Sequence, residues 1–356
     1  MRIVADTEKI SANARAIVKL CASHGIEVAA VTKCVCGEPE IVRAVLAGGV
    51  RTIAESRLDN IRRFRTAGID CDVLLLRLPA LSEVDDVVAL AQCSLNSEAD
   101  TLRALSAAAV QRGVTHSVLI IIESGDRREG VMPEDAFELC RLADELPGLD
   151  LTGVASSLNC LCGVLPTPGN MCDFVDVVED LEERLGRRFR IVSGGHTNNL
   201  RFIESGELPS RFSQLRIGEG ILFGTDEISE APLPAPYADT FKAYAEVIEV
   251  KDKPSAPDGE IGPDAFLRLN EWPDLGVRRR AILAMGEIDL SVRFLKPTRP
   301  GVTLVGASSD HTVVDVTDAD PPVRLGEELE FDARYTAVAV GWSSTCATRV
   351  VAQHDT

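Results

Sequence analysis

Basic residues are in short supply in this chain: 37 Lys and Arg face 55 Asp and Glu in 356 residues, a formal net charge of −18. No basic stripe is left to neutralise a phosphate backbone, so a nucleic-acid partner would have to bind against long-range repulsion and is set aside. Long apolar runs are missing too. None reaches bilayer-spanning length, and residues 1–6 lack the apolar core of a secretory signal. A cytoplasmic protein with no membrane partner is expected. Zinc-type cysteine spacing is also absent: Cys34/Cys36 and Cys160/Cys162 are separated by one residue, not by the longer spacers of common zinc sites. With no secretory signal, the ten cysteines read as reduced thiols, with neither a disulfide frame nor a metal centre.

What is present is enough to bury a large core, at 45% hydrophobic and 26% charged residues, and to build one large domain plus a smaller one. Apolar, β-branched runs recur at 27–32, 51–54, 73–76, 93–95, 117–122, 151–155, 189–192 and 214–217. Stretches of helical period lie between them, among them 10–23, 99–111, 133–146 and 172–185. Continuous apolar strands joined by helical crossovers imply a parallel sheet covered on both faces. Eight repeats over this length fit an α/β fold of the (β/α)8 TIM-type barrel class better than an open doubly wound sheet, which stays as the alternative.

In such a barrel, chemistry collects where the strands end at their C-terminal side. The residues there are polar: Lys33, Ser56-Arg57, Arg77, Asn96, Arg127-Arg128, Ser157 to Asn159, Ser193-Gly194-Gly195-His196-Thr197, and Arg216 with Gly218-Glu219-Gly220. Lys33 is the lone lysine that an apolar run delivers to a break at Gly37, ahead of a helix opening at Glu38-Pro39-Glu40. At a barrel rim its amine can be partly desolvated, as a Schiff-base nucleophile must be. The two glycine clusters on the last two strands offer free backbone N–H groups and a hydroxyl suited to a small phosphate, or else simply make tight turns.

After residues 232–236, a proline-rich stretch, the helical crossovers give way to short strand-like runs separated by Pro, Gly and Asp turns. The expected organisation is a barrel over 1–232 and a C-terminal all-β domain over 233–356, with residues 1–9 able to pack with the β domain.

The order and spacing of several segments make the chain resemble the alanine racemase superfamily of fold-type III pyridoxal-phosphate enzymes, and within it the ornithine racemase-like branch. The segments are Val31-Thr32-Lys33-Cys34-Val35-Cys36-Gly37, Leu81-Ser82-Glu83-Val84, Ser94-Leu95-Asn96-Ser97-Glu98, Gly125-Asp126-Arg127-Arg128-Glu129-Gly130, Ser193-Gly194-Gly195, Leu215-Arg216-Ile217-Gly218-Glu219 and Gly306-Ala307-Ser308-Ser309-Asp310-His311. The resemblance implies pyridoxal 5′-phosphate as cofactor and a homodimer with shared active sites. It makes Lys33 the residue that holds the cofactor and serves as base on one face of the substrate. Arg216 would donate to the pyridine nitrogen, and a permanently charged donor keeps that nitrogen unprotonated. Thr197 with the N–H groups near Gly218 and Glu219 would take the phosphate, and Ser156-Ser157 would lie beneath the ring. Arg128 falls beside the substrate carboxylate, and Asp310 belongs to the segment that approaches a partner's site.

Departures from the family pattern bear on the reaction. Cys36 stands where alanine racemases carry a phosphate-binding tyrosine, and Glu260-Ile261-Gly262 stands where they carry the tyrosine that serves the second face. Racemisation needs proton transfer on both faces. His311 is the first candidate to supply it, Cys160 the second and Tyr335 the third. The expected activity is racemisation of a free amino acid by proton transfer at Cα, and the acidic surface favours a basic one such as ornithine or lysine. A fold-type III aldolase or decarboxylase, needing one face only, is the alternative, and a non-catalytic cofactor-binding protein the second alternative.

Overall fold

The structure, a computed structural model, describes residues 1–226, 228 and 233–352; the domain boundary expected at Pro232 lies outside the described residues. Contact density divides the chain into two compact units. One comprises Glu8–Lys33 and Gly37–Ala238; the other comprises Met1–Thr7, Cys34–Cys36 and the residues from Asp239 onward.

In the first unit eight parallel strands close into a barrel, the expected architecture and not the open-sheet alternative. With β1 at Arg2–Asp6, they are β2 (Glu27–Val31), β3 (Thr52–Glu55), β4 (Asp72–Leu75), β5 (Cys93–Asn96), β6 (His116–Ile122), β7 (Leu149–Ser156), β8 (Ile191–Ser193) and β9 (Gln214–Ile217). Closure comes from β2, which pairs with β3 on one side and β9 on the other. Ala29, Ala54, Leu74, Leu95, Leu119, Ile121 and Ala155 form one buried cluster, small residues set against large ones so that the inward-facing side chains fill the space. Each buried Leu or Ile stabilises by about 1.5–3 kcal/mol.

The crossover helices begin and end on local signals. Helix Pro168–Leu185 is opened by a reciprocal capping box between Thr167 and Asn170, with Pro168 in the first turn, and is closed by left-handed Gly186. Helix Ala99–Arg112 likewise stops at left-handed Gly113. Among the described residues no helix is long and apolar enough to cross a membrane.

The second unit is built on a mostly antiparallel sheet. Its strands are β10 (Phe241–Pro254), β11 (Val277–Leu283), β12 (Leu295–Pro297), β13 (Thr303–Ala307), β14 (Thr312–Asp315), β15 (Glu328–Ala333) and β16 (Thr348–Ala352). β1 joins this sheet, antiparallel to β10 and parallel to β16. The long β10 has three partners: its first half pairs with β1 and β15 and its second with β11, the last pairing carrying an irregularity between Val247 and Glu249.

One element departs from the all-strand expectation for this region. Residues Tyr335–Ser343 form a helix, because Ala337, Val338, Gly341 and Trp342 recur at helical spacing and are all buried. A Cβ at Gly341 would come within 2.3 Å of Ile3 Cδ1, so glycine lets the helix lie close against β1. Trp342 meets Phe241 edge-on, with ring centroids 5.8 Å apart.

Candidate active site at the strand ends of the barrel

Barrel register gathers the strand-end residues. Ala30 pairs with Ile217, Ser193 with Gln214, and Ala155 with Ser193. The residues just beyond these pairs are therefore neighbours along consecutive strands: Lys33 after β2, Gly218 and Glu219 after β9, Gly194 to Thr197 after β8, Ser157 after β7.

Lys33 is exposed and opens a short turn, Lys33–Val35. The residue before it is fixed. The Thr32 hydroxyl donates at 2.7 Å to the buried Glu55 carboxylate, whose other oxygen accepts from Asn60 Nδ2 at 2.9 Å and from the Ser56 N–H at 3.1 Å. Burial pushes the Glu55 carboxyl up; Asn60, Thr32, Ser56 and the positive charge of Lys33 pull it back. On the far side of the turn, Gly37 has φ +60 and approaches Asn60 so closely that a Cβ would sit 2.8 Å from its carbonyl oxygen. The lysine thus leaves from a backbone held at both ends.

Arg216 lies on β9, buried at 5% exposure. Nη2 donates to the Ser156 carbonyl at 2.6 Å and Nη1 to the Ser193 hydroxyl at 2.5 Å. Burial lowers the guanidinium to about 10, which leaves it charged at neutrality. Thr197 is buried, and its hydroxyl accepts from the Gly220 N–H at 3.2 Å. Gly218 precedes the short helix Glu219–Phe223, and a Cβ there would come within 3.1 Å of Val31 Cβ, so a side chain could not be added between the ends of β2 and β9 without displacement. Next to Thr197, the buried Asn198 Nδ2 has no hydrogen-bond partner among the described residues.

The segments after β6 and β7 bring together Arg128, Ser157 and Cys160. Arg128 Nη2 donates to Ser157 Oγ at 3.1 Å, and Ser157 Oγ is 3.6 Å from Cys160 Sγ. Arg128 Nε and Nη2 also form a two-pronged ion pair with the Glu129 carboxylate. His196 Nε2 lies 3.9 Å from the Cys160 sulfur and contacts the Leu158 carbonyl. Burial raises the Cys160 thiol, but His196, Ser157 and Arg128 outweigh it and bring the thiol down from 9.0 to about 7. Behind this segment the Asp126 carboxylate, buried at 1% exposure, accepts the N–H groups of Cys160, Leu161, Cys162 and Val164 at 2.7–3.4 Å.

Asp310 and His311 fall in the other unit, exposed in the turn between β13 and β14, where Asp310 accepts from Ser309 Oγ at 2.6 Å. His311 lines a cleft of about 690 Å³ there, with Arg268, Trp272 and Arg280. Tyr335 begins the helix described above, and Cys36 Sγ lies 3.4 Å from Ser343 Oγ.

The sequence places His196 among the strand-end polar residues and Asp126 and Glu129 in a family segment without assigning them roles, and does not single out Glu55. An acidic residue closing an apolar strand, as in Thr52-Ile53-Ala54-Glu55, was the available signal for Glu55. The roles of Asp126 and His196 arise from contacts between separate loops, and that of Glu129 from its pairing with the adjacent Arg128.

The family model described as "Alanine racemase, N-terminal domain" matches residues 5–226. The chain is 36% identical over 344 residues to the ornithine racemase of Acetoanaerobium sticklandii, spanning 96% of this chain and 97% of that one. It is 36% identical over 352 residues to the lysine racemase of Thermotoga maritima, spanning 98% of each. Among solved structures, the alanine racemase of Streptomyces coelicolor A3(2) matches with a TM-score of 0.76 at 18% identity, over 99% of this chain and 98% of that one, a likeness of fold. Full-length similarity, the matched N-terminal domain and the closed barrel agree: this chain belongs to the alanine racemase family.

Proposed function

We propose that the protein is a pyridoxal-phosphate-dependent racemase of free amino acids, acting on basic ones such as ornithine or lysine. The observation that supports this reading is the register of β2, β9 and β8, by which Lys33, Arg216, Thr197 and Gly218 follow or close neighbouring strands, with the Arg216 guanidinium buried.

These residues fit the cofactor. Lys33 is exposed rather than partly desolvated as the sequence leads one to expect, which leaves its amine accessible to an aldehyde, and a buried guanidinium already fixed by Ser156 and Ser193 is a rigid donor for a ring nitrogen. The partnerless buried Asn198 Nδ2, beside Thr197, is a donor awaiting an anionic group. When bound, pyridoxal phosphate supplies an aldehyde that condenses with amines and a ring that accommodates the electron pair left when Cα loses its proton.

Around that chemistry the side chains divide the work. Lys33 holds the cofactor and exchanges a proton at its amine on one face of the substrate. Thr197, Gly218 and Glu219 would hold the phosphate, and Ser157 would contact the ring. Arg216 would place a fixed positive charge at the ring nitrogen and so keep that nitrogen unprotonated. Arg128 orients the substrate carboxylate. For the opposite face, Cys160 is the favoured group, because a thiol near 7 exchanges protons readily at neutral pH. His311, assisted by Asp310, is the second candidate, acting from a second copy of the chain in a cytoplasmic homodimer.

Borohydride reduction of the protein with pyridoxal phosphate should fix the label at Lys33. Single enantiomers of ornithine and lysine in deuterated water should gain deuterium at Cα and lose optical rotation. Exchange with retained configuration, or release of carbon dioxide or an aldehyde, would replace the racemase reading with the decarboxylase or aldolase one. Cofactor binding without any exchange would leave a non-catalytic protein. Cys160→Ser and His311→Asn, compared in the same assay, decide which group serves the second face.

A further inference from the structure

The connection from β6 runs out over residues 124–130 and returns to its own root. Glu123 N–H donates to Val131 O at 2.9 Å, and Val131 N–H to Ile121 O at 2.9 Å. Gly130, at φ +141, makes this closure possible: a Cβ there would sit 2.6 Å from the Glu123 nitrogen. Inside the loop, the Glu123 carboxylate accepts from the N–H groups of Gly125 at 2.5 Å and Arg127 at 3.1 Å. Asp126 anchors it to the next loop. Arg128 and Glu129 are therefore presented from a rigid mount, the condition for a selective contact.

Their side chains are partly exposed, at 36% and 21%, and satisfy one another as an ion pair. Arg128 reaches Ser157 on the adjacent loop. Glu129 also acts electrostatically on the buried Arg216, so its carboxylate lies within the field of the strand-end cations. The other acidic groups here are engaged with the protein itself: Glu55 with Thr32, Asn60 and Ser56, and Asp126 with backbone amides.

We propose that Glu129 is a specificity residue that selects amino acids carrying a second cationic group on the side chain; this rests on the racemase reading above. Arg128 takes the substrate α-carboxylate, and Glu129, released from Arg128, takes the distal ammonium. Opening the pair for an uncharged side chain strands a half-buried carboxylate without its partner. A diamino acid restores a partner to both members. The discrimination therefore comes as much from the penalty on the wrong substrate as from the contact with the right one.

The test uses full-length protein with pyridoxal phosphate, comparing wild type, Glu129→Gln and Glu129→Asp on L-ornithine, L-lysine and L-alanine. Wild type should favour the two basic substrates. In Glu129→Gln the ornithine-to-alanine ratio of kcat/KM should fall by roughly 10- to 100-fold, chiefly through KM for ornithine. Glu129→Asp should recover part of it. The dissociation constants of ornithine and alanine, read from the change in the visible absorbance of the bound cofactor, should move in the same ratio independently of turnover. An unchanged ratio in Glu129→Gln, or a wild type that treats ornithine and alanine alike, overturns the inference while leaving the racemase reading in place. A wild type that binds ornithine over alanine, loses that preference in Glu129→Gln and exchanges no Cα proton supports Glu129 while ending the racemase reading.

Discussion

Thr32 and Glu55 are joined by a 2.7 Å hydrogen bond buried between the first two barrel strands, one residue upstream of Lys33. Thr32→Val would leave one carboxylate oxygen without its donor and should cost about 1–3 kcal/mol, read as a lower urea midpoint.

The same carboxyl gives a pH signature. Its folded-state pKa is raised, so the stability it contributes is fully present below the ordinary carboxylate range and is lost as pH rises through the folded value. Urea unfolding across that window should show wild type losing stability relative to Glu55→Gln as the pH increases. A constant difference between the two would remove Glu55 as the titrating group.

His116 should act in the opposite sense. It is 1% exposed, its Nε2 lies 2.8 Å from Ser94 Oγ, and burial lowers it from 6.5 to about 4. The unfolded chain takes up this proton first, so stability present above 6.5 falls as the pH drops toward 4, by on the order of 3 kcal/mol. His116→Asn should flatten that part of the acid-unfolding profile.

Cys160 should alkylate with iodoacetamide along a pH profile centred near 7, and peptide mapping should find it modified ahead of the exposed Cys162, Cys172 and Cys346. His196→Ala removes a group that lowers the thiol, so the midpoint should climb toward 9.0. A midpoint that stays put would show that His196 does not govern this thiol.

Gly153 on β7 pairs with Ile191 on β8, and a Cβ there would meet the Ile191 carbonyl oxygen at 1.8 Å. Gly153→Ala should therefore cost roughly 3 kcal/mol through forced strand displacement, seen as a lowered Tm. Gly262→Ala, with nothing within 4 Å of the added methyl, should leave Tm nearly unchanged.

The barrel was legible because its strands are short, apolar and separated by stretches of helical period; all eight runs read from the sequence became barrel strands, and the family resemblance was borne out. Helix Tyr335–Ser343 was not. Thr336-Ala337-Val338-Ala339-Val340 has the β-branched content of a strand, and its helical burial pattern depends on packing against Ile3, more than three hundred residues away in sequence. At the candidate site, residue types at strand ends could be read in order. What escaped was pairing: that Arg128 is engaged by its own neighbour Glu129, or that His196 lies by the Cys160 thiol, follows from loop geometry that no spacing rule encodes.

Asp126 belongs to one loop, yet the amides it holds belong to another. The two connections are thereby yoked, and neither can lengthen or shorten alone without tearing amides from the shared carboxylate. Insertions and deletions at this rim should then be tolerated only as matched events, and relatives with a longer segment after the fifth barrel strand should carry a compensating change after the sixth.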